Sequence, residues 1–204
     1  MLYWILKKIL GPFFRLIWIK KVEGLENIPP HGPFIIAANH SSYFDFFTIV
    51  SVIPHRVYFL AAEKFYSSKL WYPIVKLTGQ IKVERKCPDK KATFEEVYSI
   101  LNRKKVLGIF PEGTRSPTGK IGKTYTGVAK FALGTNSPVI PVGIEGSFET
   151  MSRHDKFPKF KKIITIRIGS PVQFEKYSGK KNDEKVLREA TDKIMIEIKR
   201  LINE

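Results

Sequence analysis

A single cysteine in 204 residues, Cys87, excludes an internal disulfide. Histidines and cysteines nowhere gather at metal-ligand spacing. Of the four histidines, His31, His55 and His154 stand alone among loop-like neighbours, as surface residues do. Acidic residues are also scarce. Only 19 Asp and Glu face 35 Lys and Arg, a net charge of +16 that favours an anionic partner. The classes this admits are nucleic acid, an anionic membrane surface, an acidic carrier protein or a phosphorylated substrate. Internal repeats, low-complexity tracts and domain linkers are missing too, so the chain reads as one unit long enough to bury a sizeable core. With 43% hydrophobic residues it is not a disordered sequence.

The N-terminus is apolar but not apolar for long enough. Residues 1–19, Met-Leu-Tyr-Trp-Ile-Leu-Lys-Lys-Ile-Leu-Gly-Pro-Phe-Phe-Arg-Leu-Ile-Trp-Ile, fall short of the roughly 20 apolar residues that a spanning helix needs. They lack a small-residue cleavage site after a short apolar core. Lys7, Gly11 and Arg15 are four apart with Lys8 beside the first, which makes one narrow basic stripe on an otherwise apolar helix. Gly11-Pro12 is expected to kink or break it. The pattern predicts a helix or a short helix pair lying in a membrane interface over residues 1–21. Trp4 and Trp18 would sit at headgroup depth and the lysines on phosphates, with the globular domain at 22–204. The competing reading is a core helix of a soluble domain.

Beyond this segment, strand-like and helix-like stretches alternate. The strands are expected at 33–38, 56–61, 80–84, 106–110, 138–144 and 163–168. The helices are expected at 45–53, 64–77, 89–103, 125–134 and 182–202, with Asp89 and Asn182 as caps. Alternation implies an α/β fold with a mixed, largely parallel sheet flanked by helices. The last strand follows a basic loop instead of a helix, so an antiparallel setting is open to it. That loop, 145–162, is the longest irregular stretch and carries Arg153, Lys156, Lys159, Lys161 and Lys162.

Two loops carry the chemistry. His40 and Asp45 lie five apart between an apolar run, 33–38, and the start of a helix, a place where α/β folds put functional groups. On such a turn a short aspartate can fold back to the imidazole, fix its tautomer and make it a general base. The second loop, Pro111-Glu112-Gly113-Thr114-Arg115-Ser116-Pro117, opens from the buried run 106–110. Gly113 permits successive N–H groups to face one point, Thr114 offers a hydroxyl, and Arg115 can grip a phosphate in bidentate fashion. Gly122-Lys123-Thr124 ends like a nucleotide-binding loop, but Pro117 stands where the first glycine is required, which excludes ATP binding in that mode.

Asn-His-Ser-Ser-Tyr-Phe-Asp (39–45) and Phe-Pro-Glu-Gly-Thr-Arg-Ser (110–116) together resemble the glycerolipid acyltransferase family, most closely its lysophosphatidate (1-acylglycerol-3-phosphate) acyltransferase branch. Two weaker blocks follow the family order. Gly79-Gln80-Ile81-Lys82-Val83-Glu84-Arg85 departs from the family pattern at Lys82, and Val139-Ile140-Pro141-Val142-Gly143-Ile144 matches it. The resemblance covers residues from about 20 to 170. It implies transfer of an acyl chain from a thioester, acyl-CoA or acyl carrier protein, to a glycerol hydroxyl, with no resident cofactor. His40 would take the hydroxyl proton and Asp45 would hold the imidazole. Glu112, Gly113, Thr114 and Arg115 would bind the glycerol phosphate, with Arg85 as a second cation. Glu112 is an odd neighbour for a phosphate and is expected to orient Arg115 or a hydroxyl. Ser41 and Ser42 are read as turn and cap residues, and Pro141 as shaping the sheet edge near the acyl site or as ending a strand.

The partners this implies are an acyl thioester, a lysophospholipid acceptor and an anionic membrane surface, with the protein on the cytoplasmic face of a membrane. The short length and small N-terminal extension favour the lysophosphatidate branch over acceptors such as glycerol phosphate or another lysophospholipid. A reading from a different class, a non-enzymatic basic module binding RNA or anionic lipid, would account for the charge and the 145–162 loop. It leaves His40 and Asp45 without a use, and no pair of stacking aromatics on a strand marks an RNA surface, so nucleic acid is not expected.

Overall fold

Fully apolar short runs build the centre of the sheet. In the computed structural model, which describes residues 2–84, 89–177 and 181–203, the strands are β1 (Ile19–Glu23), β2 (Phe34–Ala38), β3 (Val57–Ala62), β4 (Ile81–Val83), β5 (Val106–Ile109), β6 (Val139–Glu145) and β7 (Ile164–Ile168). Every residue of β2 and β5 is buried. Such strands have no solvent face, so they can only be central and must be covered on both sides. Their alternate residues point to opposite layers. Ile35, Ala37 and Leu107 belong to one apolar cluster, whereas Phe34, Ile36 and Val106 belong to the other.

The seven strands run in the order β1-β7-β6-β2-β5-β3-β4. All neighbouring pairs are parallel except β6 with β7, which is antiparallel. The helices are α1 (Leu2–Trp18), α2 (Phe44–Val52), α3 (Glu63–Tyr66), α4 (Tyr72–Thr78), α5 (Lys91–Asn102), α6 (Gly127–Thr135), α7 (Ser147–Thr150) and α8 (Glu184–Leu201). Residues of α5, α6 and α8 fill the first cluster, and residues of α1 and α2 pack in the second. The mixed, largely parallel sheet and the antiparallel last strand agree with the sequence reading.

Several elements differ from expectation for local reasons. The stretch 64–77 is not one helix. It forms α3 and α4, with Ser68 accepting from the backbone N–H groups of Tyr72 and Trp71 at the start of the second. Asp183, not Asn182, caps α8 by accepting from the amides of Lys185 and Val186. Asp89 accepts from the Lys91 amide one residue before the Lys90 cap position of α5. Pro141 lies at neither a sheet edge nor a strand end. It is buried in β6 beside Ala37 of β2. A strand residue directs its N–H and C=O to the same side, and Pro141 directs its carbonyl to the Gly169 amide just beyond β7. The missing N–H therefore falls where the β6–β7 ladder has already ended, which is how a central strand tolerates proline.

The N-terminal segment is helical as expected, but without the kink or break. It is one uninterrupted helix through Pro12, and the chain then enters the sheet edge as β1, so a boundary at residue 21 cuts a strand. Gly11 lies against Ser51 of α2. Tyr3 is buried, and Phe14 and Trp18 pack against Phe44, the first tilted and the second edge-to-face, at 5.3 and 5.0 Å between ring centroids. Lys7 turns inward and donates to the carbonyls of Ile53 and His55 at the end of α2, and burial pushes its ammonium pKa down to about 8. Trp4, Ile5, Ile9, Leu10, Phe13 and Leu16 remain exposed. Among the described residues no helix is long and apolar enough to cross a membrane.

Candidate active site

The topology brings the two motif loops together. β2 and β5 are parallel neighbours, so their C-terminal loops emerge side by side. After β2 the chain crosses through α2 to β3 on one side, and after β5 it crosses through α6 to β6 on the other. The crevice between them is a topological switch point, the place where open α/β sheets bind ligands.

Asn39 starts the first loop by imitating a strand residue. Its side chain donates to the Ile144 carbonyl and accepts from the Ile144 amide, both at 2.8 Å, which ties the loop to β6. Ser42 Oγ accepts from the Phe44 amide at 3.0 Å and donates to the Met151 carbonyl at 2.6 Å, while Ser41 Oγ meets Ser147 Oγ at 3.0 Å. Both serines are therefore structural, as expected. Asp45, in the first turn of α2, is wholly buried. Its Oδ2 accepts from the amides of Ser41 and Ser42 at 2.7 and 2.8 Å and lies 2.9 Å from His40 Nδ1. A carboxylate accepts only, so Nδ1 carries the proton and Nε2 keeps its lone pair. The imidazole is 16% exposed and stacks on Phe110, with centroids 4.0 Å apart and planes 12° from parallel.

The second loop locks onto the first through the His40 backbone. Ser116 N–H donates to the His40 carbonyl at 2.7 Å, and His40 N–H donates to Glu112 Oε1 at 2.7 Å. The other carboxylate oxygen, Oε2, accepts from Gly122 N–H at 3.1 Å. Among the described residues Glu112 makes no hydrogen bond or ion pair with Arg115, which it was expected to orient if not a hydroxyl. It is a buried clamp between two loops. Burial raises its pKa above the ordinary carboxyl value, and the two amide hydrogen bonds and His40 pull in the opposite direction. Gly113 adopts a left-handed backbone, φ 65°, with the Tyr125 ring directly behind its α-carbon, so a side chain there would be strained and crowded.

Arg115 spreads its guanidinium over the Tyr43 ring, 3.7 Å from the centroid. Its pKa is lowered by burial first, and Arg153 is near enough to lower it further, partly offset by Tyr43 and Asp45. Among the described residues, Arg153 of the basic loop is a cation whose charge reaches Arg115. Arg85 lies outside the described residues, as does Cys87. Sequence reasoning missed Tyr43 although it sits inside the first motif, and it left Arg153 undistinguished among five loop cations. No local signal separates a buried clamp such as Glu112 from a ligand contact.

His40 opens into a cavity of about 810 Å³ that also reaches Glu112, Gly113 and Thr114. Its walls are mainly apolar: Phe46 and Phe47 from α2, Phe59 and Leu60 from β3, Trp71 and Ile74 near α4, and Phe94 and Phe131 from α5 and α6. His40 Nε2 thus faces a greasy chamber with Thr114 in its lining and Arg115 on the ring of Tyr43, another lining residue. That arrangement suits proton abstraction from a polar acceptor beside a long apolar group.

Comparison with known proteins fits this geometry. The sequence model of the family described as Acyltransferase matches residues 20–145. A 1-acyl-sn-glycerol-3-phosphate acyltransferase of Bacillus subtilis (strain 168) is 26% identical over 184 residues, covering 90% of this chain and 88% of its own. One from Cocos nucifera is 27% identical over 176 residues, and there the chain spans 81% of itself but only 55% of its relative. The crystal structure of the 1-acyl-sn-glycerophosphate (LPA) acyltransferase PlsC from Thermotoga maritima superposes with a TM-score of 0.78 at 23% identity, over 99% of this chain and 80% of that one, which establishes a shared fold. With well over half of its length matched by the family model, this chain belongs to the acyltransferase family.

Proposed function

We propose that this enzyme transfers a fatty acyl group from an acyl thioester to the free hydroxyl of a 1-acylglycerol-3-phosphate, making phosphatidate for phospholipid synthesis. The observation that carries the reading is the open Nε2 of an Asp45-held His40 at the head of an apolar cavity. The relatives' names support the acceptor.

In the step proposed, His40 Nε2 takes the acceptor hydroxyl proton as that oxygen attacks the thioester carbonyl carbon. Asp45 stabilises the imidazolium that forms. The tetrahedral centre collapses, the carbon–sulfur bond breaks, and the thiolate leaves with the proton returned by His40. The acyl chain lies between Phe46, Phe59 and Trp71, and the acceptor phosphate sits at Thr114 and Arg115. Acyl-CoA or acyl carrier protein enters as co-substrate, and the chemistry calls for no resident cofactor. The protein works on the cytoplasmic face of a membrane, resting on the exposed side of α1 through Ile9, Phe13 and Leu16.

The test is thiol release from acyl-CoA and from acyl carrier protein, each offered 1-acylglycerol-3-phosphate, glycerol phosphate and a lysophospholipid without a terminal phosphate. Release that depends on the first acceptor is expected. Turnover only with glycerol phosphate would move the enzyme to another acyltransferase reaction, and none with any acceptor would refute the reading.

A further inference from the structure

The basic loop between α7 and β7 holds a pair of aromatic side chains that the fold does not bury. Phe157 is 80% exposed and Phe160 76%, more than any apolar side chain of α1 among the described residues. They alternate with Lys156, Lys159, Lys161 and Lys162, all exposed. The loop is built, not loose. Lys159 N–H donates to the Thr150 carbonyl at 2.8 Å and closes it at its base. Asp155 accepts from the Ser152 amide at 2.7 Å within it. Trp18 at the end of α1 donates from Nε1 to the Lys159 carbonyl at 3.0 Å, and its ring lies 5.5 Å from that of Phe160. The aromatic edge of the loop is therefore continuous with the C-terminal end of α1.

We propose that the 152–162 loop is a second membrane anchor, inserting Phe157 and Phe160 among the acyl chains of an anionic bilayer while its lysines rest on the lipid phosphates. An acidic protein partner would use the lysines but has no reason to want two bare phenylalanines between them. A bilayer interface takes both. The loop also begins at Met151, whose carbonyl holds Ser42 of the catalytic turn. The loop anchor deepens the membrane reading made above for α1 and rests on it.

The full chain would be tested in a Cys87→Ser background with Phe157→Cys carrying an environment-sensitive dye, against vesicles of zwitterionic lipid alone, vesicles containing anionic lipid, and an acidic acyl carrier protein. A blue shift with anionic vesicles only is expected. Co-sedimentation of unlabelled Phe157→Ser/Phe160→Ser should fall by about tenfold or more. Each Lys→Gln change at 156, 159, 161 or 162 should cost roughly fivefold at low salt. Activity on detergent-dispersed acceptor should stay near wild type, which separates lost docking from lost folding. Wild-type binding in the loop variants with no blue shift would overturn the loop anchor and leave α1 docking standing. A shift with carrier protein but not with vesicles would overturn it in favour of a protein partner. A wild-type chain that ignores every vesicle would overturn both.

Discussion

One oxygen of Asp45, Oδ2, takes hydrogen bonds from two backbone amides and from His40, while Oδ1 is buried with no protein partner among the described residues. The geometry of the His40–Asp45 pair thus hangs on a single atom. Asp45→Asn can keep its carbonyl oxygen on the two amides and Nδ1, but it loses the charge that stabilises the imidazolium and buries an NH2 group at the unpartnered Oδ1 position. The expected loss is up to about 10⁴-fold in kcat. His40→Ala should abolish transfer with its fold intact. Thiol release reads both, and near-normal turnover in His40→Ala would remove the general base. Arg115→Ala should raise the acceptor KM far more than the donor KM. Arg115→Lys should rescue only part of it, because an ammonium neither forks nor lies flat on Tyr43. An unchanged acceptor KM would sever Arg115 from the phosphate. Glu112→Gln leaves one of two buried amides facing an NH2 group, which should cost about 1–3 kcal/mol. Its raised folded-state pKa also has a sign. Folding favours the neutral carboxyl relative to the unfolded chain, so this contribution is full below the unfolded carboxyl pKa and is lost as pH rises through the folded one. Thermal unfolding across acidic to neutral pH should therefore show the gap between wild type and Glu112→Gln widest on the acid side, and a constant gap would contradict the assignment.

At the scale of elements, β5 is a lever on the histidine. Gly108 has the Phe59 ring where a β-carbon would stand, only 2.4 Å away. Phe59 stacks on Phe110 at 5.6 Å, and Phe110 stacks on His40 at 4.0 Å. Gly108→Ala should push this column of rings sideways and tilt the imidazole, lowering kcat by tenfold or more, on the order of what a 1 Å misplacement costs. Donor and acceptor KM should move less. A fully active Gly108→Ala variant would mean that the rings only fill space. The interrupted α3–α4 region and the proline in β6 teach a related lesson: what punctuates an element depends on which hydrogen bonds its neighbours supply.

At the scale of the molecule, α1 is both a wall of the core and an exposed apolar surface. Fully burying a large side chain is worth about 1.5–3 kcal/mol, and removing residues 1–18 would strip the buried Tyr3 from the start of β3 and the half-buried Phe14 and Trp18 from Phe44 of α2. Truncation is therefore expected to lower the thermal transition sharply. The membrane role is better isolated by Ile9→Ser/Phe13→Ser/Leu16→Ser, which touches only exposed positions. That variant should leave anionic vesicles in co-sedimentation while keeping the wild-type melting temperature. If it sediments like wild type, α1 is a core helix alone.

The alternation of apolar runs and amphipathic stretches was enough to specify an α/β fold, the approximate position of each strand from β2 onward, and the turn that joins His40 to Asp45. These are local properties: side-chain periodicity and a five-residue turn are settled within a few ångströms of chain. Only the tertiary structure could decide the rest, because it depends on which strands become neighbours. Pairing β2 with β5 is what turns Glu112 from a presumed ligand contact into a clamp on His40, and the return of the basic loop to the sheet is what brings Arg153 near Arg115. The inward turn of Lys7 follows the same logic. Its partners are carbonyls 46 and 48 residues away, and no pattern within α1 encodes them.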